Sequence, residues 1–136
     1  MDLLTDPHRE LRIKQFKKLV CDVYYTCVGY YGGSKYQIGF PELIFNYNGE
    51  DAIHGGEFCF ENNQIEVNYQ GYDDSVECFD YYTRLITHEY MHYLQSPTWF
   101  KRYYKMGHDY LTHPYEVEAY RRETELIELN LIQPTK

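Results

Sequence analysis

No apolar run in the 136 residues approaches the ~20 that a membrane span needs, and the first ten residues are polar, without the hydrophobic core of a signal segment. Basic residues are scarce as well: thirteen Lys and Arg stand against twenty-one Asp and Glu, a net charge of −8. A surface built to hold phosphates is therefore not expected, and nucleic acid is a poor partner. Cys21, Cys27, Cys59 and Cys78 include no CxxC pair, so reduced, packed thiols are expected rather than disulfides or a sulfur-bound metal. No repeat, low-complexity segment or linker interrupts the chain. These absences lead to the expectation of one soluble, cytoplasmic domain spanning residues 1–136, without a membrane or nucleic-acid partner.

Aromatic residues are abundant, 18% of the chain with seventeen tyrosines, so core and groove should be built from rings whose hydroxyls need partners. Leu11, Phe16, Leu19, Val20, Val23, Tyr24 and Cys27 recur at helical spacing from about Asp6 to Tyr30, before Gly32-Gly33. Three short β-rich runs follow, Glu42 to Tyr47, Gly56 to Glu61 and Ile65 to Tyr69, separated by Asn48-Gly49-Glu50-Asp51 and Asn62-Asn63-Gln64. They predict an antiparallel meander with Cys59, Ile65 and Val67 inward and Glu61, Glu66 and Asn68 outward. Phe79, Tyr82, Leu85, Ile86, Tyr90 and Tyr93 or Leu94 mark a second helix ending before Pro97. A short helix over Trp99 to Met106 and another from Pro114 to about Asn130 complete an α+β pattern.

The last part of the second helix reads Ile86-Thr-His-Glu-Tyr-Met-His-Tyr-Leu-Gln95. On a helix His88 and His92 lie one turn apart on one face, so both imidazoles can reach a single ion, and Glu89 is rotated about 100° to the side. Hydrolysis asks for this set: zinc (Zn2+) lowers the pKa of a bound water towards ~7, and a neighbouring carboxylate takes the proton. Six histidines and thirteen glutamates make one HExxH by chance a ~2–3% event in a chain of this length. Its place on a predicted helix, after strands and before an acidic helix, favours a metal site.

In the order strand, HEYMH helix, loop and acidic helix, Gly56 to about Leu129 resembles the zincin metallopeptidases. The resemblance implies a minimal zincin-like fold: N-terminal helix, small antiparallel sheet, HExxH active-site helix and C-terminal ligand helix. It also implies a substrate cleft edged by the strand before the active helix, Ile65 to Tyr69. Gln95 and Thr98 stand where metzincins carry Gly and His, which excludes that class. Gly107-His108 is a superficial match to the downstream glycine-histidine pair of SprT-like proteases. Gluzincins take the third ligand from a glutamate on a later helix, and Glu116-Val117-Glu118-Ala119-Tyr120 resembles the ExxA run of HtpX-like and ImmA-like members. That resemblance makes Glu116 the ligand, with Glu118 and His108 as rivals, and Ala119 the small residue where two helices meet. Tyr120 replaces an acidic or amide residue that in those families supports a ligand histidine, so another orienter is required. Asp80 and Asp109 are candidates for it.

The resemblance thus implies a zinc metallopeptidase of gluzincin type, with metal ligands His88, His92 and Glu116, general base Glu89, and a protein or peptide substrate laid along the edge strand. Tyr104, Tyr110, Tyr115, His108 and His113 are candidates to stabilise an oxyanion. His8 and His54 read as surface residues, and Gly55-Gly56 as a turn. The alternatives are a zincin-fold module that binds a partner around a structural or vestigial zinc, and hydrolysis of a non-peptide amide or ester. With twenty residues after Glu116 the cleft should be shallow.

Overall fold

The computed structural model describes residues 7–47 and 54–134. The helix start at Asp6 and the turn expected at Asn48-Gly49-Glu50-Asp51 lie outside the described residues. The elements are α1 (Pro7–Tyr31), β1 (Glu42–Asn46), β2 (Gly56–Cys59), β3 (Gln64–Asn68), α2 (Val76–Leu94), α3 (Pro97–Lys105), α4 (Pro114–Arg122) and the single turn α5 (Glu125–Glu128). The α+β class is as expected. No helix among the described residues is long and apolar enough to cross a membrane.

The helical spacing in α1 translates directly into burial: Phe16, Leu19, Val20, Val23, Tyr24 and Cys27 are in the core, and only Leu11 of the expected face is exposed. Gly32 ends the helix with φ 75°, where its N–H bonds the carbonyl of Val28. The α2 helix packs against α1 through Phe79, Tyr82, Ile86 and Tyr90, and starts at Ser75, whose hydroxyl accepts from the N–H of Cys78. The tyrosine hydroxyls find the partners they need. Tyr24 donates to the carbonyl of Pro41, Tyr90 to Gly32, Tyr93 to Gly39 and Tyr82 to Gly71, so buried rings tie down four loop positions.

The sheet corrects the antiparallel meander. Strand order is β1-β3-β2, with β2 antiparallel to β3 and β1 parallel to it. A tight turn at 60–63, with Asn63 at φ 51°, joins β2 and β3 as a hairpin, while β1 takes the other side of β3. The central place falls to β3, whose Ile65 and Val67 are fully buried, and β2 becomes an edge. The cleft edge expected at Ile65 to Tyr69 is therefore β2. Facing is corrected in two places: Phe58, opposite Ile65, is the buried residue of β2 rather than Cys59, and Asn68 is buried, its amide donating to the carbonyl of His54.

The helix expected from Pro114 to about Asn130 breaks after Arg122. At the break Glu123 bonds His88 and Arg84, Thr124 leaves helical geometry with ψ 0°, and α5 resumes where Leu126 enters the core. Tertiary ties at these two side chains outweigh the continuous local preference for helix.

Candidate metal centre and cleft

Because α2 is wedged between α1 and the cleft, one of its faces is apolar and the other carries the motif. His88, Glu89 and His92 are each less than a tenth exposed on that second face. The α4 helix brings the third group. His113 caps it, Nδ1 accepting from the N–H of Tyr115 and Nε2 donating to the carbonyl of Phe100, and Pro114 occupies the first helical position. Glu116 follows in the first turn, where the helix dipole favours a carboxylate. Ala119, one turn on and fully buried, is the small residue where α4 meets α2.

Glu116 Oε1 lies 3.1 Å from His88 Nε2 and 2.9 Å from His92 Nε2. One atom from each of the three residues falls within 4.8 Å of the others, the one such His, Cys, Asp and Glu group among the described residues. The remaining imidazole nitrogens are engaged. His92 Nδ1 is 2.7 Å from Gln95 Oε1, and His88 Nδ1 is 3.1 Å from Glu123 Oε2. Gln95 is itself fixed, its amide donating to Glu118 Oε1 at 2.8 Å and to the carbonyl of Tyr115 at 3.1 Å. An amide oxygen and a carboxylate only accept, so a hydrogen on Nδ1 satisfies each of these contacts, and each Nε2 then faces a further acceptor, the Glu116 carboxylate, across which a proton or a cation has to sit. Three acceptors thus face one point, an arrangement that a cation or added protons must neutralise. Two imidazoles and a carboxylate suit a borderline ion such as zinc.

The titration behaviour has the same origin. Burial pushes the His88 imidazole down, but Glu116, Glu89 and Glu123 outweigh it and its pKa stands above the usual 6.5. Burial raises Glu116, and the two histidines overturn that and hold it at about 2. Glu89 is dominated by burial and is raised from 4.5, against the opposing pull of His92, His88 and the backbone N–H of Phe58. That N–H donates to Glu89 Oε1 at 2.8 Å, which ties the carboxylate to β2.

Of the rival ligands, Glu118 stands behind Gln95 and His108 bonds Thr112, so neither joins the cluster. The two candidates for the missing orienter lie elsewhere: Asp80 pairs with Arg84 at 3.0 Å, and Asp109 accepts from the N–H of Thr112. Glu123 and Gln95 fill that role. Gln95 was within reach of sequence reasoning, three residues beyond His92 on the same helical face, whereas Glu123 acts through a helix break with no sequence signal.

Two hollows of about 360 and 430 Å³ open on the cluster, sharing Gly56, His88, Glu89 and Tyr110. Tyr104 and Tyr110 line the larger one, while His113 and Tyr115 belong to the aromatic packing around Phe100. The Tyr110 and Tyr120 hydroxyls are 2.7 Å apart, and the Tyr120 ring packs edge-on to His88 at 4.6 Å. Tyr120 therefore supports His88 by packing where a carboxylate or amide was expected. His54 is exposed, yet it borders both hollows.

No family model matches this chain, and neither the curated proteins nor the solved structures contain a match.

Proposed function

We propose that this protein is a zinc-dependent peptidase of gluzincin type, with His88, His92 and Glu116 as ligands and Glu89 as general base. The observation that carries the reading is the meeting of three buried acceptors, two imidazoles and a carboxylate drawn from two helices, beside the separate buried carboxylate of Glu89, which none of them needs as a partner. A zinc ion bound there supplies a Lewis acid that acidifies water and polarises a carbonyl. Gln95 and Glu123 hold the imidazoles in the tautomer that leaves Nε2 free. Glu89, its pKa raised by burial, accepts a proton from water and returns it to the leaving amine. Tyr110 and Tyr104, both at the cluster, donate hydrogen bonds to the carbonyl oxygen as it gains charge. The outer edge of β2 offers main-chain hydrogen bonds to an extended peptide.

The test is metal content together with turnover on denatured proteins and peptide libraries. About one zinc per chain and cleavage lost in Glu89→Gln are expected. One observation favours a non-catalytic, partner-binding reading: Glu89 also fastens β2 to α2 through Phe58. Glutamine keeps an acceptor for that bond, so Glu89→Gln separates the two. A zinc-loaded wild type inert across the screen, with a partner complex indifferent to the substitution, would replace the peptidase reading by the binding one.

A further inference from the structure

The two sides of the cleft differ in chemistry. Beside His92 stands a continuous aromatic wall: Phe100 is 5.4 Å from the His92 ring, Phe60 is 5.0 Å from Phe100, and Phe58 is 5.0 Å from Phe60. Tyr104 extends it at 5.6 Å from Phe100. Beside His88 the lining is polar, with Tyr81, Arg84, Tyr120 and Glu123, and the Arg84 guanidinium is already held by Asp80 and Glu123. A bond held at Glu89, which borders both hollows, places its two flanking side chains in these two unlike surroundings.

Strand direction decides which flank meets which wall. The Phe58 N–H points away from β3 to Glu89, so by the alternation of the ladder Gly56 and Phe58 direct their backbone groups to the cleft. Along β2 the polar hollow lies towards Gly55, and the aromatic one towards Phe58 and Phe60. An incoming peptide pairs with this edge more favourably antiparallel than parallel. It then runs from Phe60 towards Gly55, and the residues before the scissile bond lie on the aromatic wall.

Resting on the peptidase reading, we infer that the preferred substrate carries an aromatic or large aliphatic side chain immediately before the scissile bond, received by Phe58, Phe60, Phe100 and Tyr104. The position after the bond has no such requirement. A hollow of about 430 Å³ admits a phenyl ring, and edge-to-face contacts with Phe60 and Phe100 add to its burial.

Two series on zinc-loaded protein test this. In the first, wild type acts on peptides identical except for Phe, Leu, Ala or Gly on either side of the cleaved bond. Phe before the bond is expected to exceed Ala by at least about tenfold in kcat/KM. Phe60→Ser should erase most of that ratio and Phe60→Leu should keep part of it. In the second, Glu89→Gln binds the same peptides, labelled and followed by fluorescence anisotropy, and the Phe peptide should bind about tenfold tighter than the Ala peptide. Cleavage without preference before the bond, or with the aromatic preference after it, overturns this inference and leaves the peptidase reading standing. Equal binding of all peptides also overturns it. No cleavage at all, with the binding preference kept and lost in Phe60→Ser, overturns the peptidase reading while supporting the aromatic hollow. The peptide series on wild type decides the matter even where a Phe60 variant fails to fold.

Discussion

Glu89 carries a structural tie and a proposed chemical role on one carboxylate. One oxygen accepts the Phe58 N–H, and the proposed chemistry needs the group as a base. Glu89→Gln preserves size and the acceptor but cannot take a proton, so zinc content and melting temperature should be retained while turnover falls about 10²–10⁴-fold. His88, His92 and Glu116 are expected to behave in the opposite way. Alanine at any of them should remove most of the bound zinc, measured by metal analysis after gel filtration, and full retention in His88→Ala/His92→Ala would refute the site. Behind them, Gln95→Leu removes the acceptor that fixes His92. Zinc affinity should drop about 10–100-fold, read by competition with a chromophoric chelator, and Gln95→Glu should recover much of it. Glu118→Ala, one bond further out, should cost less.

At the level of elements, the site depends on how α2, α4 and β2 are held. Ser75 caps α2 more than three turns from His88. Ser75→Ala should cost about 1 kcal/mol of unfolding free energy in urea and leave zinc affinity unchanged. The edge strand is less forgiving. A Cβ at Gly56 would come within 2.6 Å of the Glu66 carbonyl oxygen, backbone that cannot step aside. Gly56→Ala should therefore lower the melting temperature and, by displacing β2 from Glu89, reduce turnover more than zinc content.

For the whole molecule, the acceptor cluster predicts opposite pH profiles with and without metal. In the metal-free protein, Glu116 has a lowered pKa, so its contribution is present above 4.5 and is lost as pH falls towards about 2. His88 has a raised pKa, so its contribution is complete below 6.5 and disappears as pH climbs through the raised value. Glu89, also raised, adds a cost above 4.5. Metal-free protein should therefore be most stable a little above pH 4.5, where Glu116 contributes and Glu89 costs least, and weaken further once pH passes 6.5 towards 8. Zinc requires both Nε2 atoms free of protons, so the stabilisation it confers should grow over that same rise. Thermal melts at pH 5, 6, 7 and 8, with zinc and with a chelator, should give slopes of opposite sign. Parallel slopes would mean that these residues do not hold the metal.

Much of this was legible in local pattern. Helical periodicity located α1 and α2, the spacing of His88 and His92 placed two imidazoles on one face with the Glu89 carboxylate to the side, and Pro114 with the run after it put Glu116 in a first turn. Each is a property of residues within a turn or two of one another, where backbone geometry alone decides who is adjacent. The pairing of β1 with β3 was not available in that way, because a hairpin loop specifies only its own two strands and the third joins whichever edge best buries Ile65 and Val67. The tie from Glu123 to His88 was equally hidden, since it forms through a helix break that the local sequence does not demand. Nor does spacing show that Glu89 meets β2, or that Phe60 and Phe100 line up beside His92. The chain by itself determined which residues carry metal-ligating groups at helical spacing; packing of α4 and β2 against α2 decided which acceptors converge and which side chains line the two hollows, because contacts between distant segments are set by shared burial.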